Sequence, residues 1–339
     1  MLQRIVLYYR YLEIMWGDIV MKQEAGNINL NDLRLEVERK LLEYNLISFN
    51  DKISLCPIHN VIIHGKYFSH YIITCVYSSK TFFLKTVKEN DNFLLCDRFL
   101  KNINDEGLYY PRIIVPRFTF QGMQYYIITY IEGRPLDMFS EALPQSTLYD
   151  IADKLLFLIE QLALINASQY SENAVFVPDD CIVILKQKLA NRMRHPLIAG
   201  YPPKKVERTF HWCCNILEHS QFSRPTLIHM DVKPANIIYN EKTGSVSLID
   251  FEFARFGDFD YGWTQILLSG CNHFNPFYKK HIVPHLTKGR ITLDDAFDIP
   301  KFQCYLYYQA MCNLIYYYDR HLPCPKEIEE IFNAFIARM

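Results

Sequence analysis

Two carboxylates and one carboxamide stand around a hairpin signal in residues 227–263, which read LIHMDVKPANIIYNEKTGSVSLIDFEFARFGDFDYGW. Two apolar runs, 237–239 and 246–249, flank Asn240-Glu241-Lys242-Thr243-Gly244, which predicts two short strands joined by a turn with Gly at its end. Asp231 and Asn236 lie just before the first run and Asp250 directly after the second. A hairpin brings those ends together. Hard oxygen ligands of this kind suit Mg²⁺ carrying phosphates, and a carboxylate beside them can take a proton from an attacking hydroxyl. Solvated acids at the ends of an ordinary hairpin are the bland alternative. A lone Asp-x-x-x-x-Asn would not rise above it; a second Asp after a matching strand does.

His229-Met230-Asp231-Val232-Lys233-Pro234-Ala235-Asn236, followed by Asp250-Phe251-Glu252, resembles the catalytic and metal loops of the protein-kinase-like fold. The tail Gly257-Asp258-Phe259-Asp260 resembles the aminoglycoside phosphotransferase and choline kinase branch more than the protein kinases. The resemblance implies an α+β bilobal fold, with a five-stranded antiparallel sheet in the N-terminal lobe and a mostly helical C-terminal lobe. It divides the chain into a helical appendage (1–50), a nucleotide-binding lobe (51–132) and a catalytic lobe (133–339). It also implies in-line phosphoryl transfer from ATP or GTP to the hydroxyl of a small acceptor. Asp231 would be the base, Asn236 and Asp250 would hold Mg²⁺, and Lys85 would steady the nonreacting phosphates. His229 would brace the loop. Lys233, two places after Asp231, could contact the transferring phosphate; a solvated loop lysine is the alternative.

The elements that must position these groups are legible in turn. Leu33, Val37, Leu41 and Tyr44 fall on one face of a helix, with Asn31 as a plausible N-cap. This helix suits a packing appendage or a dimer contact. From Ile53 the texture turns to short β-type runs, with 71–77 and 81–87 separated by Ser78-Ser79-Lys80. The stretch from His64 to His70 precedes them, where the resembled family places a loop over the phosphates. Gly65 and Ser69 are its candidates, although one glycine does not make a Gly-rich loop. Lys85 ends an apolar strand, where a lysine can bury its stem and present its ammonium. Residues 92–104 read as a helix, from which the family's partner for that lysine comes; Asp97 is the candidate, with Glu89 the second. Residues 111–115 and 124–130 are further strands. Tyr130 and Ile131, before Glu132-Gly133-Arg134-Pro135, match the family's hinge, whose backbone groups hydrogen-bond the nucleotide base.

Beyond the hinge, Leu148, Ile151, Leu155, Leu158, Leu162 and Ile165 trace one buried helical stripe. Residues 171–225 carry eight Lys and Arg against five Asp and Glu, and 250–300 carry seven acids against five bases. A net-basic acceptor wall disfavours polycations, whose ammonium groups need carboxylate partners. Trp263 and the tyrosines of 302–318 read as core by default. They could also offer faces to a sugar, a base or one cationic head. An aminoglycoside, by family, and a neutral or singly charged hydroxyl compound, by charge, both stay open. Gly262 stands near where relatives often carry Asp; Asp260 is the available substitute.

A protein serine/threonine kinase is the rival reading. Against it, Met230 and Glu252 replace that family's Arg and Gly, and no Ala-Pro-Glu follows. A nucleotide-binding pseudokinase scaffold is the third reading, opposed by the retained Lys85, Asp231, Asn236 and Asp250. The chain has 339 residues, half of them apolar, enough for two cores. A net charge of −1 gives no pull toward nucleic acid or anionic membrane. Ten scattered Cys with no Cys-x-x-Cys suggest free thiols in a reducing compartment. The first twenty residues are interrupted by Arg4, Arg10 and Glu13, unlike a signal core. The expectation is a cytoplasmic protein.

Overall fold

Alternation and turn chemistry build the first sheet. The computed structural model describes residues 29–63, 66–87, 110–139, 143–165, 178–220, 225–269 and 299–338, with Asp97 and Leu100 between. These fall into two compact units: the described residues up to Asp97 together with Tyr110–Glu132, and those from Gly133 onward.

In the first unit, helix α1 (Leu30–Glu43) precedes strands β1 (Ile53–Ile63), β2 (Lys66–Cys75), β3 (Thr81–Thr86), β4 (Ile113–Phe120) and β5 (Met123–Thr129). They pair antiparallel in the order β1-β2-β3-β5-β4, the expected five-stranded sheet. Leu33, Val37 and Leu41 of α1 are fully buried and join Ile73, Leu84, Val115 and Ile127 in one core. Tyr44 remains 40% exposed, so the helix meets the sheet through three residues rather than four. The N-cap is Asn29, not Asn31: the Asn29 side chain accepts from the Asn31 amide at 3.0 Å. An Asx residue bonds forward to N2, so the cap falls two places earlier than expected.

The second unit opens at Gly133, whose φ of +141° a side chain rarely adopts. A Cβ there would also lie 2.7 Å from Ile238 Cγ2 and from the Tyr239 carbonyl oxygen, so only glycine fits. Strand β6 (Arg134–Pro135) then pairs with β8 (Ile237–Asn240), which forms a hairpin with β9 (Ser245–Leu248). Strand β7 (Thr226–Ile228) pairs separately with β10 (Arg255–Gly257). The unit's helices are α2 (Gln145–Leu164), α3 (Pro178–Met193), the short α4 (Pro196–Ala199), α5 (Pro203–His219), α6 (Phe259–Ser269), α7 (Pro300–Asp319) and α8 (Lys326–Arg338), of which α2 and α6 pack on the strands. The α2 stripe expected from periodicity is buried at all six positions.

Helix α7 decides between the two readings of its aromatic residues in favour of the default, the core. Tyr305, Tyr307, Tyr308 and Tyr317 are buried, and Tyr307 stacks on Phe332 of α8 at 5.2 Å. Trp263 is buried as well. These rings are core and offer no face to an acceptor; Tyr316 and Tyr318 are the exposed tyrosines of the helix. No helix among the described residues is long and apolar enough to cross a membrane.

Candidate active site

The hairpin closes the site from below. Ile237 opposes Leu248 and Asn240 opposes Ser245. Gly244 turns the chain at a φ of +68°, and Asn240 Oδ1 accepts from the Lys242 amide at 3.0 Å. One further rung, Ile249 N to Asn236 O at 2.9 Å, carries the pairing past the strands to the residues that matter. Asn236 and Asp250 thus sit at the paired ends, as the spacing predicts.

Asn236 spends its amide nitrogen on Asp231. Nδ2 donates to the Asp231 carbonyl oxygen at 2.9 Å and to Oδ2 at 2.8 Å. A carboxylate can face only the donor end of a carboxamide, so Asn236 Oδ1 is directed away from Asp231. Lys233 Nζ lies 2.8 Å from the same Asp231 Oδ2. With both contacts on Oδ2, Oδ1 is the oxygen of Asp231 that remains for an incoming group among the described residues.

Burial alone would lower the Lys233 pKa. The Asp231 carboxylate, by charge and hydrogen bond, and the charge of Asp250 outweigh it, and the pKa is raised. Lys233 is therefore a fixed cation at neutral pH, although its side chain is 46% exposed.

His229 ties the two loops together. Its Nδ1 accepts from the Asp231 amide at 3.2 Å, and its Nε2 donates to the Ile249 carbonyl oxygen at 2.9 Å. Those partners fix the neutral tautomer. Burial pushes its pKa down to about 4 despite the acids nearby. Phe251, fully buried, meets the imidazole edge-on at 4.5 Å. His229 braces the loop, in agreement with the expectation.

Met230 and Asp250 both have a φ of 66°. Left-handed backbone at non-glycine residues costs on the order of 1–3 kcal/mol each and persists where the surroundings over-determine it. Here Met230 directly precedes Asp231 and Asp250 is the second acid itself, and the imidazole, the ladder rung and the Asn236 amide hold the two segments.

Three supports were missed by sequence reading. Gln265 Oε1 on α6 accepts from the Val232 amide at 3.1 Å and anchors the loop from the side. Asp258 is buried at the start of α6, where its Oδ1 accepts from the Asp260 amide at 3.1 Å. Its Oδ2 lies 2.6 Å from Lys301 Nζ and accepts from the Tyr305 hydroxyl at 3.0 Å. Lys301 also reaches Asp260 at 2.7 Å, so Asp258 leads the bracing for which Asp260 was the expected substitute. A Cβ at Gly262 would sit 3.4 Å from Ile228, so this position is a close approach of helix to strand. The Gly-Asp-Phe-Asp tail was the signal for Asp258; its lysine lies 43 residues on, beyond any local pattern.

The nucleotide-side candidates lie in the first unit. Lys85 is buried on β3 opposite Tyr126 of β5. Asp97 is buried, and its Oδ1 accepts from the Ile113 amide at 2.8 Å. Ser69 stands in β2 opposite Asn60, not in a loop, because β2 begins already at Lys66. Gly65 and Glu89 lie outside the described residues. Tyr130 and Ile131 follow β5 directly. Burial, then Glu132, raises the Tyr130 pKa.

The donor set fits Mg²⁺. Asn236 Oδ1 and the Asp250 carboxylate are hard oxygens on adjoining chain ends. This ion usually takes one or two protein ligands and completes its shell with phosphate and water. Among the described residues no three His, Cys, Asp or Glu gather into a closed metal cage.

A family model described as the phosphotransferase enzyme family matches residues 78–278. A search of curated proteins returned no match. Among solved structures, a thermostable mutant of aminoglycoside phosphotransferase APH(4)-Ia in its apo form is 13% identical. It covers 87% of this chain and 98% of its own, with a TM-score of 0.63. A further mutant of that enzyme, in ternary complex with AMP-PNP and hygromycin B, is 15% identical over 89% of this chain and 98% of its own, at 0.61. The GDP complex of aminoglycoside 2′-phosphotransferase-IIIa is 15% identical over 90% of this chain and 99% of its own, at 0.56. At such identities the likeness establishes a shared fold.

Proposed function

The chain belongs to the phosphotransferase enzyme family, matched over residues 78–278 of 339, and from that premise we propose that it is a small-molecule kinase. It moves the terminal phosphoryl group of ATP or GTP to a hydroxyl of a small acceptor. The hydroxyl oxygen attacks phosphorus, the bond to the bridging oxygen breaks, a nucleoside diphosphate leaves, and the hydroxyl proton goes to Asp231. Nucleotide and aminoglycoside complexes among the structural neighbours support the two substrate classes.

One observation carries the reading. Asp231 has one oxygen held by Asn236 and Lys233, and its other oxygen takes neither contact. Asp231 Oδ1 orients the hydroxyl and accepts its proton. Lys233 Nζ supplies positive charge beside the transferring group and holds the carboxylate still. Asn236 and Asp250 hold Mg²⁺, which when bound neutralises phosphate charge. Lys85 contacts the nonreacting phosphates, with Asp97 its orienting acid, and the backbone at Tyr130 and Ile131 meets the base.

Thermal unfolding with nucleotide tests this. At about 100 times its dissociation constant, Mg²⁺–ATP or Mg²⁺–GTP adds roughly 2.7 kcal/mol to the stability. Chelation removes most of that gain. An unchanged shift under chelator, or none with either nucleotide, leaves the pseudokinase scaffold as the better reading.

A further inference from the structure

The peptide units on both sides of Asp231 are held by side chains. On the near side, the Asp231 amide donates to His229 Nδ1 at 3.2 Å. On the far side, the Asp231 carbonyl oxygen accepts from Asn236 Nδ2 at 2.9 Å, and the Val232 amide donates to Gln265 Oε1 at 3.1 Å. A peptide unit is planar, so bonds at its oxygen and at its N–H together fix its tilt. The three bonds thus set the two backbone angles of Asp231, and with them the direction of its carboxylate. His229 and Asn236 belong to the catalytic loop itself. So does Lys233, which with Asn236 also holds Asp231 Oδ2. Those contacts travel with the loop if it shifts. Gln265 stands on α6 and ties the Asp231–Val232 peptide to a helix.

That helix is fixed in turn. Gln309 of α7 is buried, and its Nε2 donates to the Tyr261 carbonyl oxygen and to Thr264 Oγ1, both at 3.0 Å. Thr264, fully buried, donates its hydroxyl to the same carbonyl at 2.7 Å. Tyr261 lies four residues before Gln265, so these bonds hold the helical turn from which Gln265 projects. A backbone N–H only donates, so it is the oxygen of the Gln265 carboxamide that must face Val232.

Packing does not stand in for this bond. A mostly apolar gap of about 20 Å³ lies where His229, Met230 and Val232 of the loop meet Gly262, Trp263 and Ile266 of α6. That is little more than the room one water centre needs. Atoms lining a void lack contacts on that side, so the loop has space to settle toward α6 once the bond is removed. Gly262, three residues before Gln265 and on the same face of the helix, brings no side chain into the gap.

We propose that Gln265 is a positioning residue for phosphoryl transfer: it aims Asp231 through the Val232 amide, and Gln309 sets the helical turn that carries Gln265. The proposal rests on the kinase reading and adds to it a residue of α6 that acts through the backbone. Its signature is a loss of rate without a loss of binding.

The test follows turnover of Mg²⁺–ATP and Mg²⁺–GTP with water alone and with kanamycin, glucose, ribose and choline. Rates are referred to the nucleotide-binding fraction titrated by calorimetry, which removes unfolded protein from the comparison. Gln265→Leu keeps the bulk and loses the oxygen. It should lower kcat by about tenfold and leave nucleotide and acceptor KM within about twofold. Gln265→Glu keeps an oxygen at the same reach and should stay within about threefold of the parent. Gln265→Asn, one methylene shorter, should fall as Gln265→Leu does, and it carries the test if Gln265→Leu does not fold. Gln309→Leu should show the same split with a smaller loss. Amide hydrogen exchange reads the hold directly: the Val232 amide should exchange at least about tenfold faster in Gln265→Leu. An unchanged kcat in Gln265→Leu and Gln265→Asn, a KM that rises as kcat falls, or a Gln265→Glu variant as slow as Gln265→Leu overturns the proposal. Activity lost in Asp231→Asn but intact in Gln265→Leu strikes this proposal alone. Turnover that survives Asp231→Asn, or none with water or any acceptor, strikes the kinase reading and this proposal with it.

Discussion

Two Asp–Lys pairs in the second unit have nearly the same geometry and opposite uses. Lys233 lies 2.8 Å from Asp231, and Lys301 lies 2.6 Å from Asp258. The first pair is open, its side chains 46% and 15% exposed; the second is closed, at 13% and 3%. In the closed pair Asp258 also accepts from the Tyr305 hydroxyl, and Lys301 also donates to Asp260. Burial first, then Asp258, raises the Tyr305 pKa, so that hydroxyl stays a donor. A buried ion pair with every remaining oxygen satisfied cannot serve chemistry, and removing one partner strands a charge. In the open pair one carboxylate oxygen stays available. Water and the second partner, Asn236, make its loss cheap for the fold. The same two residue types therefore brace one loop and, in the proposed mechanism, serve the chemistry of another, and exposure separates the two.

Four measurements break or sharpen that contrast. Asp231→Asn keeps the shape and the contacts of Asn236 and Lys233 but cannot take a proton. It should lower kcat by roughly 10²–10⁴-fold with little change in melting temperature; a variant with most of its activity left would remove Asp231 as the base. Asp258→Ala should destabilise the protein by about 3–5 kcal/mol in urea titrations, because Lys301 loses its buried counter-ion and keeps only the part-exposed Asp260, while Tyr305 and the Asp260 amide lose their acceptor.

The third measurement is pH. The folded-state pKa of His229 is lowered to about 4 from an ordinary 6.5, so the unfolded chain binds the proton first. Stability is then fully present above about pH 6.5 and is lost as pH falls toward 4, by on the order of 3 kcal/mol. A His229→Gln variant should show a shallower slope over that window. The smallest effect belongs to Lys233→Met, which should cost under about 1 kcal/mol of stability, as half-exposed pairs do. A loss as large as that of Asp258→Ala would erase the distinction between the pairs.

Legibility in the sequence followed the range of the contacts. Asp231, Asn236 and Asp250 were readable because one hairpin of local pairing joins them. The α2 stripe was readable because a single face is buried. Helix α7 was readable as core only by default, since burial runs nearly all round it and periodicity selects no face. Lys301 with Asp258 bridges dozens of residues and carries no spacing of its own. The Asn29 cap was missed by two places because either asparagine could have served, and only the bond direction decides. The nucleotide-side residues rested on chain order, and the strand position of Ser69 shows where that ordering ran ahead of local structure.

The single imidazole of His229 has a consequence for how the site comes apart. Its two nitrogens close bonds to the Asp231 amide and to the Ile249 carbonyl, and the Ile249 amide in turn closes on Asn236. Neither loop can swing out while the other stays shut. Opening is therefore one concerted event, and the amides of Asp231 and Ile249 become accessible to solvent hydrogen together, at a rate set by release of one buried ring. Asp231 and Asp250, the proposed base and metal-side acid, keep time with each other through the His229 ring.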